Sequence, residues 1–142
     1  MGISGLYEII NVSANTVIDL YNPPGLVVNG HTRTSVAGKT PNMNQIWTIA
    51  EVGDGAIVFI NYGTGVYLTA PNNLTQSANP PTTIEARSVG TLNRPTDSFE
   101  SVAYPAKILD LTDGNAANGT PIIVWSKGIQ NNQRWTLRPV TV

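Results

Sequence analysis

The chain contains the phrase Asn44-Gln45-Ile46-Trp47-Thr48-Ile49 and repeats it near its end as Asn132-Gln133-Arg134-Trp135-Thr136-Leu137. Each copy closes a stretch that begins with an aliphatic-Asp-aliphatic step, Ile18-Asp19-Leu20 in one case and Leu109-Asp110-Leu111 in the other. A degenerate middle copy is predicted at Asp97-Ser98-Phe99, with an acid in place of Gln and Phe in place of Trp. The chain is therefore built from repeats.

These copies divide the chain into three units of about 40 residues, approximately 1–52, 53–100 and 101–142. Apolar residues come in short groups such as Ile57-Val58-Phe59-Ile60 and Ile122-Ile123-Val124-Trp125. They are β-branched or aromatic, and Gly, Pro and Asn bound them, which predicts strands. One unit cannot bury its own apolar face, whereas three around an axis share a core and leave few exposed edges. The sequence thus predicts one all-β domain over residues 1–142.

The aromatic residues that close the units, Trp47, Phe99 and Trp135, are predicted to lie in the shared core. Gln45 and Gln133 stand two positions before the Trp residues, and in a packed environment their amides must find partners. We expect each Gln to hydrogen-bond the backbone of its own unit first.

The Gln-x-Trp endings, the leading Asn and the spacing from the Asp step resemble the ricin B-chain-like (R-type) lectin family, over the chain from Tyr7 to Leu137. The compact form without Cys is most similar to the fungal fruiting-body branch. The resemblance implies a β-trefoil, with three repeats around a pseudo-threefold axis. It also implies a non-enzymatic lectin that binds terminal galactose or N-acetylgalactosamine on glycans, with a role in defence.

Composition excludes several classes of function. With 142 residues there is room for a core but not for a separate catalytic module. Only 12% of residues are charged and the formal net charge is −1, so neither nucleic acid nor insertion into a membrane is predicted. The chain has no Cys and a single His, and its nine acids show no spacing of a glycosidase pair. We therefore predict no enzyme activity, no cofactor and no metal site. No signal-peptide pattern opens the sequence, which predicts a cytoplasmic protein, with release that uses no classical signal as the alternative.

The third unit groups the side chains that a sugar site requires. A sugar is polar at its hydroxyl edge and apolar on its C–H face, so its site needs a carboxylate, an amide and an aromatic plate. The resemblance assigns these roles to Asp110, Asn132 and Trp125, with Gln133 supporting Asn132 or the sugar. These four residues are the predicted main site.

The residues alone leave alternatives open for this site. Asp110 begins a turn, where Asp commonly bonds nearby backbone N–H groups, while Asp113 is expected to form the turn itself. Trp125 ends an apolar strand and could belong to the core, although the polar turn Ser126-Lys127-Gly128 follows it. Many family members carry a polar residue two places before the aromatic. Ile123 occupies that place here, which favours another epitope, such as a GalNAc-terminated or fucosylated glycan.

The first unit keeps Asp19, Asn44 and Gln45, with His31 at the aromatic position. Because imidazole is a smaller plate than indole, we expect a second, weaker site here; a solvated His in a turn is the alternative.

The middle unit has Thr69 in place of the Asp and Asp97 in place of the Gln, so its site is predicted to be lost.

A trefoil hosts many functions, and the alternative is a protein-binding trefoil, either a protease inhibitor or an accessory subunit of a larger enzyme. The long segment from Ala70 to Pro81 is the candidate inhibitory loop. A single sugar site binds weakly, so useful avidity requires two sites, a homodimer or association with another protein.

Overall fold

The computed structural model describes residues 4–21, 27–36, 40–68, 86–88, 98–102 and 104–141. Within these ranges the chain is all-β, with no α-helix. The strands are β1 Gly5–Asn11, β2 Val17–Tyr21, β3 Val27–His31, β4 Ser35–Val36, β5 Thr40–Pro41, β6 Trp47–Gly53, β7 Ala56–Asn61, β8 Ala86–Ser88, β9 Phe99–Ser101, β10 Lys107–Leu111, β11 Thr120–Ser126 and β12 Trp135–Pro139. One-turn 3-10 helices at Met43–Gln45 and Asn131–Gln133 begin the two motif phrases.

Ten of the described strands form one antiparallel sheet, in the order β12-β1-β2-β3-β11-β10-β9-β8-β7-β6. Strand β6 also pairs with β1, so the sheet closes on itself. Closure removes most of the open edges that a sheet of short strands would otherwise present. The small hairpin β4–β5 lies outside this sheet.

Strand register identifies the middle-unit counterpart of the motif Trp residues. Trp47 lies opposite Tyr7, and Ala86 lies opposite Ile57 at the matching place of the middle unit. The prediction that Phe99 stands in for Trp is therefore wrong. Phe99 begins β9, which pairs with β10 as β1 pairs with β2, so it belongs to the first strand of the third unit. The boundary between the second and third units falls before Phe99, not after residue 100.

The predicted core is confirmed even so. Trp47 and Trp135 are each 1% exposed, and their indole N–H groups donate to the carbonyl oxygens of Ile18 (2.9 Å) and Leu109 (3.2 Å). Phe99 is buried as well, because it enters the same core from a different strand. The core that the units share consists of Ile9, Ile18, Leu20, Val28, Trp47, Ile49, Ile57, Phe59, Leu68, Phe99, Leu109, Leu111, Ile122 and Trp135.

Two buried Asn side chains join neighbouring units. Asn11 Nδ2 donates to the carbonyl oxygen of Asn132 over 3.0 Å, and Asn61 Nδ2 donates to that of Asn44 over 2.9 Å. In each case the first strand of one unit fixes the backbone at the start of the preceding motif phrase. The units therefore depend on one another for the geometry of their sites.

Thr69 and the segment from Ala70 to Pro81 lie outside the described residues, so the predictions made for them stay predictions. Among the residues that are described, no helix is long and apolar enough to cross a membrane.

Candidate functional site

The Asp110 carboxylate is the centre of the third-unit site. It projects from β10 and is only 4% exposed. Gln133 Nε2 donates to its Oδ2 over 2.8 Å, and Asn132 Nδ2 donates to its Oδ1 over 3.1 Å. Both amides of the motif phrase thus converge on one carboxylate and fix its orientation. Each oxygen keeps a lone pair with which it can accept a ligand hydroxyl.

Gln133 is a supporting residue. Its Nε2 also donates to the carbonyl oxygen of Ser126 over 2.9 Å, and its Oε1 accepts from the backbone N–H of Gly128 over 2.8 Å. These are the expected bonds to the backbone of its own unit. Because the side chain is 2% exposed and both ends of the amide are bonded, Gln133 holds Asp110 and the turn after Trp125 in one arrangement.

Trp125 is an exposed aromatic plate. It lies near the end of β11 and is 50% exposed, so the alternative of a core Trp is wrong. Ile123 lies opposite Asp110 in the β10–β11 pairing, and Trp125 lies two residues further along β11. Since side chains alternate along a strand, Asp110, Ile123 and Trp125 share one face. A carboxylate, an apolar side chain and an indole therefore stand side by side there.

Burial raises the pKa of Asp110 above its ordinary value of 3.8. The hydrogen bonds from Gln133 and Asn132 oppose this rise, and the charge of Asp113 adds to it. Asp113 itself has a positive φ of 53° in the turn Thr112–Gly114, which confirms it as a turn former. The charged form of Asp110 has thus lost hydration that hydrogen bonds from a bound ligand would restore.

The first unit contains the same supporting frame. Gln45 Nε2 donates to Asp19 Oδ2 over 2.8 Å and to the carbonyl oxygen of Thr32 over 3.1 Å. Its Oε1 accepts from the backbone N–H of Thr34 over 2.9 Å. Since Thr32 takes the place that Ser126 has in the third unit, the structure places His31 at the position of the aromatic plate.

The ligand-facing groups of the first unit differ from those of the third. The ring Nδ1 of His31 lies 2.8 Å from the carbonyl oxygen of Thr32 and 4.0 Å from Asp19 Oδ2. Both Asn44 and Asp19 are described, yet no hydrogen bond joins their side chains. The structure therefore brings Asp19, His31 and Gln45 together, but it does not turn Asn44 towards the carboxylate as it turns Asn132.

Sequence reasoning missed Asn29. It lies opposite Asp19 in the β2–β3 pairing, just as Ile123 lies opposite Asp110. Asn29 is 7% exposed, and its Oδ1 is buried without a hydrogen-bond partner in the described part of the chain. A buried carbonyl that stays unpaired costs about 1–3 kcal/mol, and this one belongs to the residue that pairs with Asp19 across the strands. The signal was its place two residues before His31.

The middle unit lacks the Gln of the frame. In the sequence Ile84 precedes Ala86 by two positions, as Gln45 precedes Trp47, so the interpretation of Asp97 as the counterpart of Gln is wrong. Thr69 lies outside the described residues, and the loss of this site stays a prediction. Across the described ranges, no group of His, Asp and Glu could hold a metal ion.

Comparison with known proteins finds one family. The model of the ricin-type β-trefoil lectin domain-like family matches residues 43–125. No curated protein sequence matches the chain significantly.

Solved structures match the whole fold. The agglutinin of Rhizoctonia solani is 25% identical with a TM-score of 0.81, over 99% of this chain and 98% of that chain. The ricin B-like lectin of Macrolepiota procera, solved in complex with lactose, is 25% identical with a TM-score of 0.79, over 99% and 100%. A designed threefold-symmetric protein, ThreeFoil, is 21% identical with a TM-score of 0.78, over 96% and 99%. These likenesses confirm the predicted β-trefoil.

Proposed function

Since this chain belongs to the ricin-type β-trefoil lectin-like family, we propose that it is a carbohydrate-binding lectin whose main site lies in the third unit. One observation carries the proposal: the buried Asp110 carboxylate, fixed by two amides, stands on the same face as the half-exposed Trp125. A hydrogen-bond acceptor beside an aromatic plate is the pairing that an amphipathic sugar requires.

Each residue of the site has a distinct part in binding. Asp110 accepts hydrogen bonds from two adjacent sugar hydroxyls, and its charge makes these bonds stronger than neutral ones. Asn132 holds Asp110 and the carbonyl oxygen of Leu111 through its Nδ2, and its Oδ1 accepts from a neighbouring sugar hydroxyl. Trp125 stacks on the C–H face of the ring. Gln133 stays with Asp110 and the turn, so it orients the carboxylate without touching the sugar. No step of this account requires catalysis, a metal or a cofactor.

The ligand that we propose is a terminal galactose or N-acetylgalactosamine. The lactose complex of the Macrolepiota procera lectin supports this choice, because that protein is 25% identical over its whole length. In galactose the C–H groups gather on one face of the ring, which suits stacking on Trp125. Ile123 offers an apolar contact beside the carboxylate. It favours ligands that carry a methyl group there, such as an N-acetylated or fucosylated glycan.

The first unit provides the second, weaker site, built from Asp19, His31 and Asn29 on the frame of Gln45. We place the middle unit outside sugar binding, because it has Thr69 and Ile84 where the other units have Asp and Gln. Two unequal sites on one chain, or a homodimer of it, would supply avidity for glycans on a surface. A cytoplasmic defence protein that binds the glycans of a grazing animal fits this arrangement.

A glycan array with the purified protein tests the proposal. The expected result is selective binding to galactose- or N-acetylgalactosamine-terminated glycans, inhibited by free lactose. The matched control is Trp125→Ala, which should stay folded and lose most of the signal. Absence of binding to any glycan, or binding that Trp125→Ala leaves unchanged, would contradict the proposal.

A further inference from the structure

Glu8 is a buried charge that the proposed sugar sites do not use. It lies on β1, is 1% exposed, and its Oε2 accepts from Arg33 Nε over 2.7 Å. Arg138 Nε lies further away, 3.9 Å from Oε1. A buried carboxylate is costly to desolvate. The aligned strands of the other units have Val58 and Ser98 at this place, so the fold does not require an acid there.

Arg33 lies in the segment that directly follows His31 of the first site. It lies between Thr32 and Thr34, whose backbone carbonyl and N–H are the groups that Gln45 holds. The end of β3 and the segment after it, residues 31–34, are here called the His31 turn. The turn is therefore tied by Gln45 on one side and by Glu8, through Arg33, on the other.

The third unit holds the equivalent turn without a charge. There the backbone N–H of Lys127 donates to the carbonyl oxygen of Ala106 over 2.9 Å. Among the described residues no acid forms an ion pair with Lys127, and Ser98 replaces Glu8. The two units thus share the Gln frame but differ in what holds the far side of the turn.

We infer that Glu8 is a positioning residue for the first sugar site, where it holds the His31 turn through Arg33. The inference rests on the proposed function, since it concerns the same first site. It makes the affinity of the first site depend on an ion pair, while that of the third site does not. The Arg33 side chain is 43% exposed, so dissolved salt can screen the pair.

Chemical-shift mapping of the full chain with lactose tests this, because each site reports separately. Glu8→Gln should weaken lactose binding at the first site about tenfold, since the charge-assisted bond is lost, and change the third site less than about twofold. The backbone signals of Thr32 and Thr34 should shift before any sugar is added. Arg33→Gln should reproduce both effects; because it leaves the buried Glu8 carboxylate without its close cation, circular dichroism must first show that the variant is folded. The matched control is Arg138→Gln, which leaves the turn alone and should change neither site.

Two further readouts separate positioning from a general loss of stability. The double variant Glu8→Gln with Arg33→Gln should be no worse at the first site than either single variant, because each removes the same interaction. Raising NaCl from about 50 mM to about 500 mM should weaken the first site of the unaltered protein and not that of the double variant.

The inference is overturned if Arg33→Gln or a folded Glu8→Gln binds lactose at the first site as the unaltered protein does. Equal losses at both sites, additive effects in the double variant, or no binding at the first site of the unaltered protein would overturn it too. If instead the third site of the unaltered protein ignores lactose and every other glycan, the proposed function itself fails.

Discussion

The first and third units share the same Gln–Asp hydrogen-bond frame but present different side chains to a ligand. In both, the motif Gln donates to the Asp carboxylate over 2.8 Å. The same Gln side chain also bonds a backbone carbonyl and a backbone N–H just after the aromatic position of its unit. Above this frame, His31 replaces Trp125 and Asn29 replaces Ile123. The comparison teaches that buried hydrogen bonds fix where a site can exist. On the proposed function, the side chains on its open face decide how strongly it binds and which ligand it takes.

The Asn that opens each motif phrase also has a different role in the two units. Asn132 donates to Asp110, whereas Asn44 makes no side-chain bond to Asp19, although the backbone of each is held by an Asn of the next unit. Identity in sequence therefore did not guarantee an identical role.

The largest expected effect tests whether the two frames are equivalent. Trp47→Ala and Trp135→Ala should each lower the free energy of unfolding by about 3–5 kcal/mol, because both indoles are buried and hydrogen-bonded. Trp125→Ala should cost at most about 1 kcal/mol, because that side chain is half exposed. Urea unfolding followed by circular dichroism measures all three. Tolerance of one core Trp substitution but not the other would break the equivalence.

The next effect tests the two carboxylates. Asp110→Ala should remove about 1.5–3 kcal/mol of binding free energy at the third site only, and Asp19→Ala should do the same at the first site only. Calorimetric titration with lactose, site by site, measures this. Each substitution should also lower stability by about 1–3 kcal/mol, since the amide of Gln133 or Gln45 loses a buried partner. Retained lactose binding at the third site of Asp110→Ala would refute the site assignment.

Exchanging the plates should give a smaller change. His31→Trp should strengthen lactose binding at the first site by about 0.5–1.5 kcal/mol, and Trp125→His should weaken the third site by a similar amount. Competition titrations with each variant, alongside the unaltered protein, measure the two shifts. If the sites respond in the same direction, the plate is not what separates them.

The smallest expected effect on lactose affinity near neutral pH comes from protonation of Asp110. Because burial raises the pKa of Asp110, lactose affinity at the third site should fall as the pH is lowered from 7 through that raised pKa. For stability the sign is opposite, because the folded protein holds this proton more tightly than the unfolded chain. Burial of Asp110 lowers the free energy of unfolding above the raised pKa, and this cost fades as the pH falls to the ordinary pKa of 3.8. Asp113→Asn removes a charge that adds to the rise, so it should move the fall to lower pH. A third-site affinity that stays constant down to about pH 4 would contradict this.

Most of the fold could be predicted from the repeated phrase, because an Asp step followed by Gln-x-Trp requires one packed arrangement wherever it occurs. The middle unit misled because its Trp counterpart is Ala86, which has no aromatic signal, while Phe99 further on is aromatic and buried. Only the strand register separates these two residues.

The site was predicted unevenly for a similar reason. Asp110 stands in the repeated Asp step, and the resemblance to ricin B-like lectins assigned it and Trp125 their roles. Asn29 lies opposite Asp19 across a strand pair, and Glu8 contacts Arg33 from another strand; neither neighbour is adjacent in sequence. The distinct contacts of Asn44 and Asn132 depend on backbone geometry that identical residue types do not reveal.

The hydrogen bond from Asn11 to Asn132 spans 121 positions of the chain, and β1 and β12 pair along the same seam. During synthesis, β1 therefore cannot pair along this edge until nearly all of the chain has been made. Closing so long a loop is slow, and domains rich in such distant contacts fold in milliseconds to seconds. The third site owes its Asn132 geometry to this late closure, so the ability to bind should be among the last properties that the newly made protein acquires.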